Sequence, residues 1–295
     1  MKILLTGSTG QLGREILKTK PKGVEIIIKK KIELNLLSKK SCIENVKRYK
    51  PDWIINCAAY TNVDKAEVQQ ELAFNINSLA PKYFSEAIKD YGGNLLHVST
   101  DYVFSGTKKT PYLPSDEKSP INKYGYTKAK GEDFILENLS NLNKVHIIRT
   151  SWLMSEYRDN FALKILKKIS QNKDLRVIND QIGSPTTAFT LAKACWRAIN
   201  HKSEKIKIPQ ILHYCNSGIA SWYDVAVTIL EIGKEQKLLK KQIKIIPTSS
   251  KSYLLQAQRP HYSVLDTSDT LDKLSLEPIY WKESISDLLN QLKNS

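Results

Sequence analysis

The sequence predicts an α/β fold, a doubly wound parallel sheet covered by helices on both faces, with a smaller and partly interleaved α/β domain attached. Three observations predict it. Short apolar runs alternate with segments of helical period throughout the first half of the chain, the pattern of strands joined by crossover helices. The first run ends at once in a glycine-rich turn, Thr6-Gly7-Ser8-Thr9-Gly10-Gln11-Leu12-Gly13. The chain has 295 residues, 41% of them hydrophobic, enough for one large domain or one domain and a smaller companion.

Taken in order, Ile3–Leu5 reads as a buried first strand and Leu12–Leu17 as the helix that follows. Val24–Ile28 is a second, β-branched run. Ser41–Tyr49 reads as a helix stopped by Pro51, and Trp53–Asn56 as a third strand. Val68–Tyr91 carries one long helical period, with Pro81 marking a break or a new first turn. Asn94–Ser99 is a fourth strand, Tyr124–Asn138 a helix and Val145–Thr150 a fifth strand. The second half is less regular. Asn160–Gln171, Thr187–Asn200, Trp222–Leu230 and Trp281–Leu292 read as helices, with Ser221 as the N-cap of the third. Ile211–Tyr214 is one more strand. Lys202–Pro209 and Lys234–Gln242 read as exposed charged connections. The expected plan is a nucleotide domain over residues 1–153, to which the chain returns around 187–216, and a second domain over 154–295.

Composition excludes several classes. No apolar run approaches the ~20 residues of a membrane-spanning helix, and the start, MKILLTGSTG, does not read as a secretory signal. Cys42, Cys57, Cys195 and Cys215 are scattered without a CxxC pair, which argues against zinc and a disulfide framework and fits a reducing cytoplasm. The net charge of +15 comes mostly from lysines spread along the whole chain. They read as solvated helix faces. No compact basic patch interleaved with aromatics is present, so no nucleic-acid partner is expected, although an anionic substrate benefits from the field.

The glycine turn has the chemistry of a dinucleotide cradle. Gly7 permits the tight turn, Gly10 removes a side chain where the backbone must approach a pyrophosphate, and Gly13 allows close helix–strand packing. The helix start then offers free N–H groups and a positive dipole to phosphates. Thr9, Gln11 and Leu12 belong to the same cradle. This is the Rossmann form of the doubly wound sheet. Where an acid would select NAD, the second strand runs into Lys29-Lys30-Lys31, with Glu33 further out, which leans toward NADPH over NADH.

Tyr124 and Lys128 are four residues apart on one helix face, the spacing at which an ammonium lowers the pKa of a phenol that must give up a proton. Tyr126 and Lys130 make a second match, rotated by about 200° around the same helix. Spacing does not choose between them. The fourth strand leads into Ser99-Thr100-Asp101-Tyr102, at the strand ends where ligands of such sheets sit. A glycine cradle, a hydroxyl and a Tyr/Lys pair together indicate hydride transfer to a carbonyl.

The chain resembles the extended short-chain dehydrogenases/reductases, and within them the dTDP-4-dehydrorhamnose reductase family. The stretches that carry the resemblance are LLTGSTGQLGREI (4–16), NCAAYTNVDKAE (56–67), STDYVFSG (99–106), KYGYTKAKGE (123–132), IRTSWL (148–153), NDQIGSPT (179–186) and RPHYSVLD (259–266). The resemblance implies that Tyr124 and Lys128 are the catalytic pair and Thr100 the catalytic threonine. It puts Asp101 in the substrate pocket and Trp152 against the sugar. Cofactor contacts fall on Gly10, Gln11 and Leu12, on Asn35 and Leu36 near the adenine, and on Ala58, Ala59, Tyr60 and Thr61 after the third strand. Asn35 stands where the family usually has aspartate. Asn75 is expected to support the nicotinamide end or the local backbone, or else to be a helix-surface amide. Arg259 is expected to face the substrate diphosphate, the alternative being a structural salt bridge. Cys57 and His97 read as buried structural groups. Some members of the family bind magnesium at a dimer contact, where Glu15 could lie, but no metal is expected. The implied activity is NADPH-dependent reduction of the C4 ketone of a dTDP-linked 4-keto-6-deoxy-mannose by a cytoplasmic monomer or homodimer. The alternatives are a reductase of another nucleotide-linked keto sugar and a non-catalytic subunit resembling the regulatory subunit of methionine adenosyltransferase.

Overall fold

The computed structural model describes residues 1–171, 174–200, 207–239, 243–253 and 256–294. The first part alternates strand and helix: β1 (Lys2–Thr6), α1 (Gln11–Lys18), β2 (Glu25–Ile28), α2 (Lys39–Tyr49), β3 (Trp53–Asn56), α3 (Val63–Val68), α4 (Gln70–Phe74), α5 (Ala80–Tyr91), β4 (Asn94–Thr100), α6 (Lys123–Leu139) and β5 (Val145–Thr150). Then come β6 (Leu153–Met154), α7 (Phe161–Ser170), β7 (Leu175–Ile178), β8 (Ile182–Gly183), β9 (Thr186–Thr187), α8 (Ala188–Ile199) and β10 (Ile211–His213). β11 (Ala220–Ser221), α9 (Trp222–Glu235), β12 (Ile245–Thr248), α10 (Ser268–Leu274) and α11 (Trp281–Asn294) complete the described chain.

Six strands form the main sheet in the order β10-β5-β4-β3-β1-β2, and every pair is parallel. The doubly wound sheet expected from the alternation is what forms. Successive side chains of a strand point to opposite faces, so each strand feeds two cores. Ile3, Leu5, Ile55, Leu96, Ile148 and Leu212 pack under α1 and α8. Leu4, Ile54, Leu95, Val145 and Ile147 pack under α2, α5 and α6. A separate core joins α7, α9 and α11 to β7, around the buried Trp281. The chain therefore leaves the sheet after β5, returns through α8 and β10, and leaves again.

Boundaries moved where caps and turns decide. Ser38 caps α2 through the Ser41 N–H, and Asn160 caps α7 through the Leu163 N–H. Ser221 and Asp224 form the full capping box of α9. That helix runs on to Glu235, so Lys234 is helical and not part of a connection. Residues 202–206 and 240–242 of the expected charged connections lie outside the described residues. The long Val68–Tyr91 period breaks at Gln69 (φ −105°, ψ 46°), and of the two alternatives for Pro81 the new first turn is the one that forms. A wide π turn over Asn75–Leu79 follows, and Pro81 sits without strain in the first turn of α5. The short pairs β7–β12, β8–β11 and β6–β9 have no legible period of their own.

Candidate active site

The glycine turn joins β1 to α1 beneath β3. Gly7 has φ +67°, and a Cβ there would lie 2.7 Å from the Ala58 nitrogen. A Cβ on Gly13 would lie 2.2 Å from the Gly7 carbonyl oxygen, so only glycine lets the helix sit this close. Gly10 is the N-cap of α1 and gives it no side-chain cap, and the first turn holds no acid. Unclaimed N–H groups at the head of a helix suit a pyrophosphate, so the residues present fit a dinucleotide. Leu12 is buried in the core, while the Gln11 side chain accepts a hydrogen bond from Ser155 at 2.9 Å. Arg158, which the sequence reading missed, donates to the Thr9 carbonyl and hydroxyl at 3.0 Å each. An arginine in a loop between elements gave no periodic signal.

On the second strand's side, Lys29 pairs with Glu33 at 3.2 Å and lies over the Tyr49 ring, whereas Lys30 and Lys31 are exposed. Asn35 turns its side-chain oxygen to the Leu37 N–H at 3.1 Å, and Leu36 follows it, half-buried. After β3, Ala58, Ala59 and Tyr60 are half-buried and Thr61 is exposed. This loop is clamped by Asn77, not by Asn75. The buried Asn77 side chain accepts from the Tyr60 N–H at 2.8 Å and donates to the Tyr60 carbonyl at 3.0 Å. The π turn carries Asn77 against α6, where Gly131 admits its carbonyl; a Cβ would lie 2.2 Å from that oxygen. The sequence reading named Asn75 and missed Asn77; Asn75 lies half-buried at the start of the π turn, and the hydrogen bonds to the 58–61 loop come from Asn77.

Thr100 ends β4 and Asp101 opens the 3₁₀ turn that follows, both buried. The Thr100 hydroxyl donates to Asp101 Oδ1 at 3.0 Å and accepts from the Tyr102 N–H at 3.2 Å. Asp101 Oδ2 is buried with no hydrogen-bond partner in its geometry, and burial pushes the carboxyl up to about 7. Asn122 caps α6 through the Gly125 N–H at 2.8 Å and donates to the Gln258 carbonyl at 2.8 Å. A Cβ on Gly125 would lie 2.1 Å from the Tyr102 carbonyl, so glycine brings the helix start onto β4's exit. Tyr124 therefore reaches Thr100. Burial pushes its phenol up to about 12, and a hydrogen bond with the Thr100 side chain pulls the other way. The rings of Tyr102 and Tyr124 meet edge-on, 5.7 Å apart. Tyr126 and Lys130, the rival pair, face solvent: Tyr126 is 44% exposed and Lys130 pairs with Asp133.

Lys128 departs from the expected arrangement. Its buried amine donates to the Val98 carbonyl at 2.6 Å and lies 3.1 Å from His97 Nε2, and it does not perturb the phenol. Burial lowers it to about 8, against the carboxylate of Glu132 and the thiol of Cys57, which raise it. The expected acidic phenol is corrected accordingly: in this state Tyr124 is held protonated, not made acidic. Arg259 also differs from its first expectation. It forms a two-bond ion pair with Asp64, at 2.7 and 3.2 Å, and donates to the Ala257 carbonyl. The structural salt bridge is the arrangement present. Trp152 adopts a left-handed backbone (φ +48°) and stacks on Trp222, 3.6 Å between centroids. Glu15 is buried with Oε2 unpartnered, but among the described residues no three metal-ligating side chains converge.

The family model described as "RmlD substrate binding domain" matches residues 1–294. The chain belongs to the RmlD family, the dTDP-4-dehydrorhamnose reductases. A solved family structure, the dTDP-4-dehydrorhamnose reductase of Clostridium acetobutylicum ATCC 824, is 35% identical with a TM-score of 0.91, covering 99% of this chain and 100% of that one. The family enzyme of Bacillus anthracis str. Ames, solved in complex with NADP, is 29% identical with a TM-score of 0.89, covering 98% and 99%. Among curated relatives, the spore coat polysaccharide biosynthesis protein SpsK of Bacillus subtilis (strain 168) is 35% identical over 98% of this chain and 97% of its own.

Proposed function

We propose that this protein reduces the C4 ketone of dTDP-4-dehydro-6-deoxy-L-mannose with NADPH, giving dTDP-L-rhamnose for polysaccharide synthesis in the cytoplasm. The observation that carries the reading is the meeting of Thr100 and Tyr124 at the carboxyl end of β4, in an RmlD-family chain. The cofactor, when bound, supplies the hydride that goes to C4. In this reading Gly10 gives the pyrophosphate room to approach and the N–H groups of Gln11 and Leu12 hold it, Asn35 and Leu36 flank the adenine, and the 58–61 loop lies along the cofactor's length. Lys30 and Lys31 are exposed on the second strand's side, where they favour a 2′-phosphate.

Tyr124 is the acid. A phenol at about 12 is fully protonated at neutral pH and is loaded to give its proton to O4 as hydride arrives. Thr100 holds the same oxygen. Lys128 holds the nicotinamide ribose in this reading. Asp101 and Trp152 line the sugar side, and Arg259, fixed by Asp64, shapes its far wall. The basic field of the chain draws in the diphosphate.

The test mixes purified protein, the keto sugar nucleotide and NADPH, follows loss of the reduced cofactor by absorbance, and identifies the product by NMR. The expected result is stoichiometric oxidation and a new C4 alcohol. Turnover of a different nucleotide-linked keto sugar in its place would reassign the substrate, and no turnover of any would overturn the reading.

A further inference from the structure

Behind Lys128 runs a chain of buried polar groups that the proposed chemistry does not use. Thr6 ends β1, Asn56 ends β3 and His97 lies in β4, so three adjacent parallel strands bring them side by side. The Thr6 hydroxyl meets the Asn56 side-chain oxygen at 2.5 Å, the Asn56 amide meets His97 Nδ1 at 2.9 Å, and His97 Nε2 meets Lys128 Nζ at 3.1 Å. Asn56 and His97 are at most 1% exposed. A core built only for stability would place apolar groups here, because each buried polar group must be satisfied or costs free energy.

Hydrogen-bond polarity gives the chain a meaning. With the Asn56 amino group on Nδ1, the imidazole carries its proton on Nε2 and donates it to Lys128, which must then be a free amine. With the Asn56 amide turned over, its oxygen accepts a hydrogen bond from Nδ1–H, its amino group donates to Thr6, and Nε2 accepts from a charged ammonium. Both polarities satisfy the ring. Neither requires a charged imidazole, and burial and the nearby amine hold His97 well below its ordinary range.

We propose that His97, backed by Asn56 and Thr6, is a positioning residue that accommodates Lys128 with or without its proton by changing tautomer, and so sets the pH above which the lysine no longer holds a dinucleotide. The inference rests on the reading of Lys128 as a ribose-binding group. The other groups facing that amine are the Val98 carbonyl of β4, Cys57 after β3 and Glu132 on α6, and Glu132 is itself bound to Arg149 of β5. The Val98 carbonyl and the Glu132 carboxylate can only accept, and the Cys57 thiol is at most a weak donor or acceptor, so only the imidazole makes a full exchange of donor for acceptor. Cys57 is held up at about 12, and Glu132 below its ordinary range, so neither titrates with Lys128.

Two measurements test it on the full chain. In protein labelled with ¹⁵N-histidine, the His97 ring (assigned by its loss in His97→Gln) should remain neutral and move from the Nδ1–H to the Nε2–H form as pH rises through about 8, and should not do so in Lys128→Met. A single tautomer from pH 6.5 to 10 overturns the proposal, and this readout needs neither cofactor nor turnover. In NADPH titrations followed by fluorescence, His97→Leu should bring the alkaline loss of affinity down by about one pH unit or more, since a hydrogen bond to a charged group is lost. His97→Gln, which keeps an acceptor toward Lys128, should restore it. Equal shifts in both variants, or none in either, would mean the ring merely fills space. Failure of wild-type protein to bind NADPH would instead strike the functional reading, leaving the tautomer measurement to decide this one.

Discussion

Tyr124 and Lys128 share a helix face one turn apart, yet the Lys128 amine bonds the Val98 carbonyl and leaves the phenol protonated against Thr100. In the proposed mechanism the pair is divided in labour: the tyrosine gives the proton, and the lysine, bonded to β4, holds the dinucleotide. Tyr124→Phe keeps the ring and its edge contact with Tyr102 and removes only the acid. Turnover of the keto sugar should fall about 10²–10⁴-fold, the ordinary worth of a general acid, with NADPH affinity within about twofold of wild type. Steady-state rates and a fluorescence titration check both halves. Full turnover by the variant would remove Tyr124 from the chemistry.

Asp101 makes stability depend on pH in an unusual direction. Its folded carboxyl sits at about 7, above an unfolded value near 3.8. Below the unfolded value both states hold the proton and the group contributes nothing. Between the two values the unfolded chain releases it first, so this group's contribution to stability falls as pH rises, and the penalty is complete above about 7. Asp101→Asn cannot ionise. Its Tm relative to wild type should be several degrees more favourable at pH 8 than at pH 5. Thermal melts at the two pH values check this, and a difference that does not change with pH would contradict it.

Under the site, Glu132 and Arg149 form a fully buried ion pair at 2.7 Å, with Ser99 donating to the same carboxylate. Lys118 approaches it at 3.4 Å. Arg149 and Lys118 hold the Glu132 carboxyl below its ordinary range in spite of burial. Its stabilisation is therefore present above the usual carboxylate range and is lost as pH falls through the folded value. Glu132→Gln leaves the Arg149 charge buried and unpaired, and should cost about 3–5 kcal/mol at pH 7 by urea unfolding. The gap should narrow in acid. A cost under about 1 kcal/mol at pH 7 would mean that water reaches Arg149.

How much of this was legible in the sequence follows from which forces act locally. Strands β1, β3, β4 and β5 announced themselves because each is a largely buried run of four to seven residues bounded by turns, and Gly7 and Gly13 because no other residue fits there. By spacing Tyr124 was one of two equal candidates, and only the family resemblance chose it; what separates it physically from Tyr126 is the fit of Gly125 onto the Tyr102 carbonyl, a tertiary contact. Asn77, Arg158 and the His97 chain were not legible. A π turn changes helical counting, an arginine in a loop has no period, and a histidine inside an apolar strand looks the same whether it fills space or holds a lysine. The two-residue strands β6, β8, β9 and β11 are fixed by partners distant in sequence, so no local pattern marks them.

Gly183 is the least conspicuous residue with a sharp prediction. A Cβ there would lie 2.7–2.9 Å from Trp152 Cε2, Nε1 and Cζ2. Trp152 has little freedom to yield. Its backbone is already left-handed at φ +48°, its carbonyl accepts from the Thr186 N–H, and its indole is stacked on Trp222 with Phe161 tilted against that ring at 4.5 Å. Gly183→Ala must therefore push the indole out of its stack. Overpacking of this kind costs about 1–3 kcal/mol, visible as a lower Tm. If Trp152 contacts the sugar, KM for the keto sugar nucleotide should rise about tenfold while the NADPH dissociation constant stays put, because the cradle at Gly7–Gly13 lies on another loop. Trp152→Ala, which removes the ring instead of displacing it, should raise KM by as much or more. An unchanged KM in both variants would mean that the tryptophan pair supports the second lobe and never meets the sugar.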